Sequence, residues 1–239
     1  GIQLTLFIAA GFSVPALAVT DAWKNKDADS LLLTLWVIGT FFFTGFLNWA
    51  INARSVLPLI PAAAILIARR LDAMPANSIR WRPAMLAVPL AVAGAVSLWL
   101  AWADTELANS ARTAATMIEQ KTRDQPGTVW FMGHWGFQYY MESFGARPVV
   151  VNDPPQSAGD FLAIAERDRL FEIRPAFVSS RDVIQIPMRL GITTVQRELG
   201  TGFYSSDLGP LPFAIGPVSP ERYELIRLGS KSTSAESSH

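Results

Sequence analysis

Four long apolar stretches occupy the first hundred residues of this chain, and polar or charged residues separate them. The stretches cover residues 2–20, 31–51, 55–70 and 83–103. A helix of about 20 apolar residues crosses the hydrocarbon core of a bilayer, which is about 30 Å thick. The pattern therefore predicts about four transmembrane helices in residues 1–104. A buried helical hairpin in a large soluble protein is the alternative interpretation of the second and third stretches.

The pattern changes after residue 104 to shorter apolar runs separated by glycine, proline and charged residues. Strands that alternate with helices predict a small α/β domain with a partly parallel sheet over residues 105–228. The Gly- and Pro-rich segment 200–220 is expected to cross its surface, and the Ser-rich tail 229–239 is expected to be disordered. The predicted helices lie at 106–123, 135–144 and 159–170, and the predicted strands at 128–132, 148–151, 176–179, 183–186, 192–196 and 223–228.

Composition supports a membrane part followed by a water-exposed part. Of the 239 residues, 50% are hydrophobic and 17% are charged, whereas about 25% charged is usual in soluble domains. Residues 1–103 contain seven Lys/Arg and four Asp/Glu, against 13 and 16 in the remainder. No basic run indicates a nucleic-acid partner, and the lack of cysteine excludes disulfides and cysteine-bound metal.

The basic residues of the first part predict its orientation. They concentrate in the loops 21–29 and 69–82, and short loops rich in Lys and Arg stay in the cytoplasm. With four spans both loops lie on the same side, which places the polar turn at residues 52–55 and everything after residue 104 on the extracytoplasmic side. The chain starts at Gly1 without the basic segment of a signal peptide, so we expect the C-terminal piece of a longer membrane protein.

Arg54 is the first candidate for a functional residue, because it lies at the extracytoplasmic end of a predicted membrane helix. Its guanidinium suits a phosphate group, which it can bind through two parallel hydrogen bonds. A side chain that extends to lipid headgroups is the alternative. Asn48 and Asn52 are four residues apart and share a face if the helix continues, which favours a polar cavity.

A second candidate site follows the predicted strand 128–132. His134 stands between that strand and the next helix, where sites often form, but a general base needs a partner, and packing beside Trp135 is the favoured interpretation. Trp135 and Tyr139 are suited to stacking on a sugar or to facing the membrane surface, and a packed core is the favoured alternative. The acidic residues after 104, Asp160 among them, lack the spacing of metal ligands, so we expect their side chains to be solvated and predict no metal site.

Two segments resemble a known family. Residues 52–61 read Asn-Ala-Arg-Ser-Val-Leu-Pro-Leu-Ile-Pro and precede an apolar helix that ends at Arg69 and Arg70. This segment resembles the Arg-x-x-x-Pro-x-x-Pro helix start of polytopic C-type (GT-C) glycosyltransferases, the relatives of dolichyl-phosphate-mannose protein mannosyltransferases and of the aminoarabinose transferase of lipid A. Residues 129–140 resemble the start of the extracytoplasmic domain of bacterial members. Such domains follow a closing helical hairpin in that family.

The resemblance implies a glycosyltransferase of the bacterial inner (cytoplasmic) membrane. Such enzymes transfer a sugar from a polyprenyl-phosphate carrier to an acceptor on the extracytoplasmic side. By this resemblance Arg54, and less directly Asn52, bind the carrier phosphate, while His134, Trp135 and Tyr139 are candidates for contacts with the acceptor or the sugar. The expected partners are the polyprenyl-phosphate-linked sugar and membrane lipids.

The same resemblance implies that the chain by itself is inactive. The acidic residue that acts as base or metal partner in the family lies in the first extracytoplasmic loop, upstream of this sequence. We therefore predict no catalytic residue and no cofactor in this chain. The resemblance allows a divalent metal in the full-length enzyme. The alternative function is a non-catalytic, membrane-anchored binding or assembly module.

Overall fold

The computed structural model describes residues 1–48, 52–74, 82–150, 157–169 and 177–229, with the backbone alone for 82–86. Contacts divide the chain into two compact units. The first consists of Gly1–Trp102 together with Leu190–Val218, and the second of Ala103–Arg189 together with Ser219–His239. The predicted domain over 105–228 did not anticipate that a segment within it would pack with the first hundred residues.

Helices build most of the first unit. Three helical segments are long and apolar enough to cross a membrane: Ile2–Asn25, Ala28–Leu47 and Ala87–Thr122. They correspond to the first, second and fourth predicted spans. The third predicted span, 55–70, divides between a 3₁₀ helix and a helix of 13 residues, neither of which reaches that length, and stays a prediction. The bounds are α1 Ile2–Asn25, α2 Ala28–Phe42 with a π-helical turn Phe43–Leu47, the 3₁₀ helix Ala53–Leu59, α3 Ile60–Asp72 and α4 Arg82–Thr122.

The first three helices meet in a small apolar core and leave other apolar side chains exposed. Ala18 and Ala62 have no exposed surface, and such small residues let helices approach closely. The hydroxyl of Thr34 donates to the carbonyl of Ala18, 2.9 Å away. Leu6 and Phe12 are 65% and 72% exposed, which suits helices whose solvent is lipid.

Helix α4 is one continuous helix of 41 residues. The sequence predicted a membrane span that ended at residue 103 and a separate helix from 106 to 123. Asp104 and Glu106 do not interrupt the helix, because charged residues are good or tolerable helix formers and no Gly or Pro occurs between residues 95 and 122.

A mixed five-stranded sheet is the centre of the second unit. The elements of this unit are β1 Val129–Met132, α5 Trp135–Ser143, β2 Arg147–Pro148, β3 Phe161–Ala165, a 3₁₀ turn Glu166–Asp168, β4 Val178–Ile186 and β9 Glu221–Leu228. The strand order in the sheet is β2-β1-β3-β9-β4. Strands β2, β1 and β3 run parallel, and β9 is antiparallel to both β3 and β4. This confirms the predicted α/β character with a partly parallel sheet.

The predicted helix over 159–170 is wrong, because this segment contains the central strand β3. All five residues of Phe161–Ala165 are buried. Phe161 and Ala163 belong to the core on one face of the sheet, and Leu162 and Ile164 to the core on the other. A strand covered on both faces is apolar at every position, so it lacks the alternation that distinguishes a strand from a buried helix.

The other predicted strands are confirmed in part. Segment 128–132 contains β1, and 223–228 lies within β9. The predicted strands 176–179 and 183–186 overlap a single strand, β4. The predicted strand 148–151 shares Pro148 with β2, and its last residue lies outside the described residues. Segment 192–196 forms the short strands β5 Ile192–Thr193 and β6 Val195–Gln196, and segment 200–220 contains β7 Thr201–Gly202 and β8 Ala214–Ile215. The predicted tail lies outside the described residues except for Gly229.

Asp160 fastens the start of β3 to the start of β1. This carboxylate is only 8% exposed. It accepts a hydrogen bond from the backbone N–H of Thr128 at 2.8 Å and another from the indole N–H of Trp130 at 3.0 Å. The expectation that the acidic side chains of this region are solvated is wrong for Asp160, because two donors converge on it.

Asp160→Ala should destabilise the sheet, because it leaves two part-buried donors without this acceptor at a cost of about 1–3 kcal/mol. The backbone amides of β1 and β3 should exchange hydrogen faster in the full chain in detergent micelles. Asp182→Ala is the control, because Asp182 forms an exposed ion pair with Lys121, and such pairs contribute about 0–1 kcal/mol. Equal exchange in both variants would contradict the role of Asp160.

Candidate functional site

The polar turn that precedes α3 is organised by hydrogen bonds to Ser55. Asn52 caps the 3₁₀ helix, and its side-chain oxygen accepts from the Ser55 backbone N–H at 3.0 Å and from the Ser55 hydroxyl at 2.8 Å. The Asn48 amide donates to the same hydroxyl at 2.9 Å. The Thr44 hydroxyl lies 3.3 Å from the Ser55 carbonyl. The asparagines therefore meet at Ser55 instead of lining one face of a continuous helix, because the helix ends at Leu47.

Arg54 is the second residue of this 3₁₀ helix, and its side chain is exposed. Among the described residues its guanidinium forms no ion pair, whereas Arg69 at the other end of α3 pairs with Asp21 at 3.2 Å and Asp27 at 3.3 Å. The first turn of the 3₁₀ helix contains no acidic residue. A cation at a helix N-terminus faces the positive end of the helix dipole. The turn therefore concentrates positive potential that the described residues do not neutralise.

A segment far along the sequence completes this turn. We call Leu190–Val218 the strap. The backbone N–H of Arg54 donates to the carbonyl of Phe203 at 3.4 Å, the long end of the range for such bonds. The rings of Phe203 and its exposed neighbour Tyr204 pack edge to face, with centroids 4.9 Å apart. Sequence reasoning missed this contact, because nothing local in either segment indicates it.

The strap is attached to two of the long helices. The Gln3 side chain of α1 donates to the carbonyl of Phe213 at 2.6 Å, and the ring of Phe7 packs edge to face on Phe213 at 5.3 Å. The indole N–H of Trp99 in α4 donates to the carbonyl of Leu190 at 2.9 Å. Trp99, near the end of the fourth predicted span, thus holds the start of the strap.

The second candidate site lies where β1 turns into α5. A Cβ atom on Gly133 would lie 2.5 Å from the Phe137 ring, so the sharp turn requires glycine. Trp135 has a positive φ of 52°, which is unfavourable for a bulky residue. It is 80% exposed, and Tyr139, one turn later, is 69% exposed. The favoured prediction of a packed core is therefore wrong for these two rings, although Phe137 is buried.

This turn belongs to the edge of the sheet where ligand sites form in α/β folds. The chain leaves β1 towards β2 on one side and leaves β3 towards β4 on the other, and ligands bind outside the carboxyl ends of strands at such a switch point. The backbone N–H of His134 donates to the Asp168 carboxylate at 3.0 Å. The exposed His134 ring lies edge to face with the Trp135 ring, with centroids 6.1 Å apart, and its structural role stays a prediction.

Ion pairs line the same edge. Arg167 pairs with Glu221, and Arg222 pairs with Glu166 at 3.1 Å. Within the described parts of the chain, no three His, Asp or Glu side chains converge as a metal site would require. The edge combines exposed rings with paired charges, which is suitable for holding a polar ligand that has an apolar face.

Comparison of the chain with protein-family models, curated proteins and solved structures finds no match.

Tyr223 gives this edge a measurable pH dependence. Its phenol is 5% exposed and lies 2.9 Å from the Ser110 hydroxyl. Burial raises the pKa of Tyr223 to about 12, with the Glu221 and Asp168 carboxylates adding to the effect and the Ser110 hydrogen bond and Arg167 opposing it.

The free energy of unfolding should fall as the pH rises from 10 to 12. The raised pKa stabilises the fold fully below the unfolded value of about 10, and this contribution is lost as the pH rises through the folded value, because the unfolded chain releases the proton first. Tyr223→Phe should flatten the dependence of thermal stability on pH over this interval, in the full chain in detergent. Tyr139→Phe, at an exposed ring, is the control, and an unchanged slope in Tyr223→Phe would contradict the assignment.

Proposed function

We propose that this chain is the C-terminal part of an integral membrane glycosyltransferase that takes a sugar from a polyprenyl-phosphate carrier. The observation that carries the proposal is the exposed Arg54 guanidinium, without an ion pair among the described residues, at the N-terminal end of a helix. A phosphate on a membrane-embedded chain supplies the anion that this position lacks. Helix N-termini and arginine both favour phosphate oxygens.

The polar turn suits repeated binding of such a carrier. Asn52 caps the helix, so that the backbone at Arg54 has a fixed conformation before the phosphate arrives. Asn48 and Ser55 supply further polar groups within hydrogen-bond distance of one another. A prearranged site loses less conformational entropy on binding than a flexible one. Snorkelling to lipid headgroups requires no such network, so the network favours the phosphate-binding interpretation.

A fourth membrane crossing by residues 53–72 is part of the proposal. The 3₁₀ helix has seven residues and α3 has 13. At about 2.0 Å and 1.5 Å per residue they reach about 33 Å if they are collinear, close to the thickness of a hydrocarbon core. With four crossings the loops 21–29 and 69–82 are cytoplasmic and Arg54 is extracytoplasmic, in the inner membrane of a bacterium.

The exposed rings of the second unit support a role in sugar or acceptor contact. Trp135 and Tyr139 present flat apolar faces beside charged side chains, and pyranose rings combine apolar faces with hydroxyl groups. His134 adds a polar ring at the same turn. In this proposal the catalytic acidic residue lies in an upstream loop, so the chain alone binds its ligands without turnover.

A membrane-anchored binding module is the second candidate function. It is favoured by the position of the exposed rings, because Trp135 and Tyr139 lie at a sheet edge formed entirely within the second unit. Such a module needs no carrier phosphate. Binding of polyprenyl phosphate at Arg54 therefore distinguishes the two functions.

Arg54→Ala should weaken binding of a polyprenyl phosphate to the chain in nanodiscs by roughly tenfold or more, since hydrogen bonds to charged groups contribute about 1.5–3 kcal/mol. Arg54→Lys should retain part of the affinity. Arg70→Ala, at the far end of α3, is the matched control and should bind normally. The corresponding polyprenyl alcohol should bind all four proteins alike. Equal phosphate affinity of the wild-type and Arg54→Ala proteins would refute the proposal.

Cysteine labelling should establish the orientation, because the chain contains no cysteine of its own. An impermeant maleimide added to intact cells should label Ser206→Cys in the strap. Ala73→Cys, at the other end of α3, should react only after the cells are made permeable. The opposite pattern would place Arg54 in the cytoplasm and exclude an extracytoplasmic transfer.

A further inference from the structure

The strap contains a tightly built hairpin immediately before the residue that contacts Arg54. Strands β6 and β7 pair antiparallel, with Gln196 opposite Thr201. The Thr201 hydroxyl accepts from the Gln196 backbone N–H at 2.6 Å and donates to the Gln196 carbonyl at 3.1 Å. Thr201 has no exposed surface. One hydroxyl thus fixes both polar groups of the facing backbone.

The backbone next to Thr201 is packed too closely to relax. A Cβ atom on Gly202 would lie 2.2 Å from the Gly209 carbonyl oxygen and 2.3 Å from that of Ser205. The Gly202 N–H donates to the carbonyl of Leu211 at 2.8 Å. The Gly202 backbone is therefore held by close contacts on two sides, and it joins Thr201 directly to Phe203.

Phe203 links the hairpin to Arg54. It follows the hairpin, its N–H donates to the carbonyl of Thr194 at 3.2 Å, and its carbonyl accepts from the Arg54 N–H at 3.4 Å. The Arg54 N–H lies at the N-terminal end of the 3₁₀ helix, where no earlier turn of that helix supplies an acceptor. The Phe203 carbonyl of the strap supplies this acceptor. Thr201 and Arg54 are thus connected through Phe203 without touching each other.

We propose that Thr201 is a positioning residue of the phosphate site: its hydroxyl holds the strap hairpin so that the Phe203 carbonyl fixes the backbone of Arg54. The ligand class is the phosphate head of a polyprenyl carrier, so this inference rests on the proposed function. The strap belongs to the binding site as the element that orients its cation, although it lies about 150 residues away in sequence.

Thr201→Val tests the inference, because valine has nearly the same shape and lacks the hydroxyl. Its affinity for polyprenyl phosphate in nanodiscs should fall roughly tenfold, as for a misaligned hydrogen bond to a charged group. Thr201→Ser restores the hydroxyl and should recover most of the affinity. Thr113→Val is the matched control, since Thr113 is exposed on α4 and, within the part of the chain that the structure describes, its hydroxyl donates to the Asn109 carbonyl of the same helix.

Two further measurements separate positioning from general loosening. The affinity for polyprenyl alcohol should be the same in all variants, because only the phosphate contacts Arg54. Unfolding, in contrast, would lower the affinity for both ligands. In an Ala214→Cys background, where the reporter position is 5% exposed, maleimide labelling should be faster with Thr201→Val than with Thr201→Ser.

The outcomes distinguish this inference from the proposed function. Normal phosphate binding by Thr201→Val, together with weakened binding by Arg54→Ala, overturns the positioning role and leaves the phosphate site in place. Equal loss of phosphate and alcohol binding in Thr201→Val also overturns it. Normal binding by Arg54→Ala refutes the phosphate site itself, and the positioning role with it.

Discussion

A positive charge at the start of a helix is the constraint on which the first unit depends. Arg54 faces the positive end of the helix dipole, and the first turn contains no acidic residue to offset it. The chain nevertheless fixes this turn by the Asn52 cap, by Asn48 and by the carbonyl of Phe203. These hydrogen bonds hold Arg54 in an electrostatically unfavourable position, and in the proposed function a bound phosphate offsets its charge.

The second unit uses backbone geometry to expose a large ring. The close approach of Phe137 leaves no room for a Cβ atom on Gly133 in the turn after β1, and Trp135 has a positive φ in place of the usual right-handed helical backbone conformation. Such strain persists only where surrounding packing enforces it. Here Phe137 packs against Phe131 and Tyr223 in the core, while Trp135 remains exposed. The turn thus combines an unfavourable backbone conformation at Trp135 with an exposed position of its indole ring.

Several parts of the fold and of the candidate sites can be predicted from short-range pattern. Uninterrupted apolar runs predicted the three long helices, and the run TVWFM predicted β1, because burial in lipid or in a sheet imposes composition on consecutive residues. Arg54, His134 and Trp135 were identified from their positions beside such runs. The pattern erred where two solutions share one composition, as at Phe161–Ala165, whose five buried residues suit a helix equally well.

The sequence by itself thus determined three helices long and apolar enough to cross a membrane, the α/β character of the second unit and the position of Arg54 next to a helix start. Only the tertiary structure decided that Trp135 is exposed, that Asp160 is buried and that the strap reaches Arg54. All three depend on contacts between segments far apart in sequence; the strap, for example, is held by the hydrogen bond between Gln3 and Phe213. Local periodicity records whether a residue faces an apolar environment, but it does not record which distant segment supplies that environment.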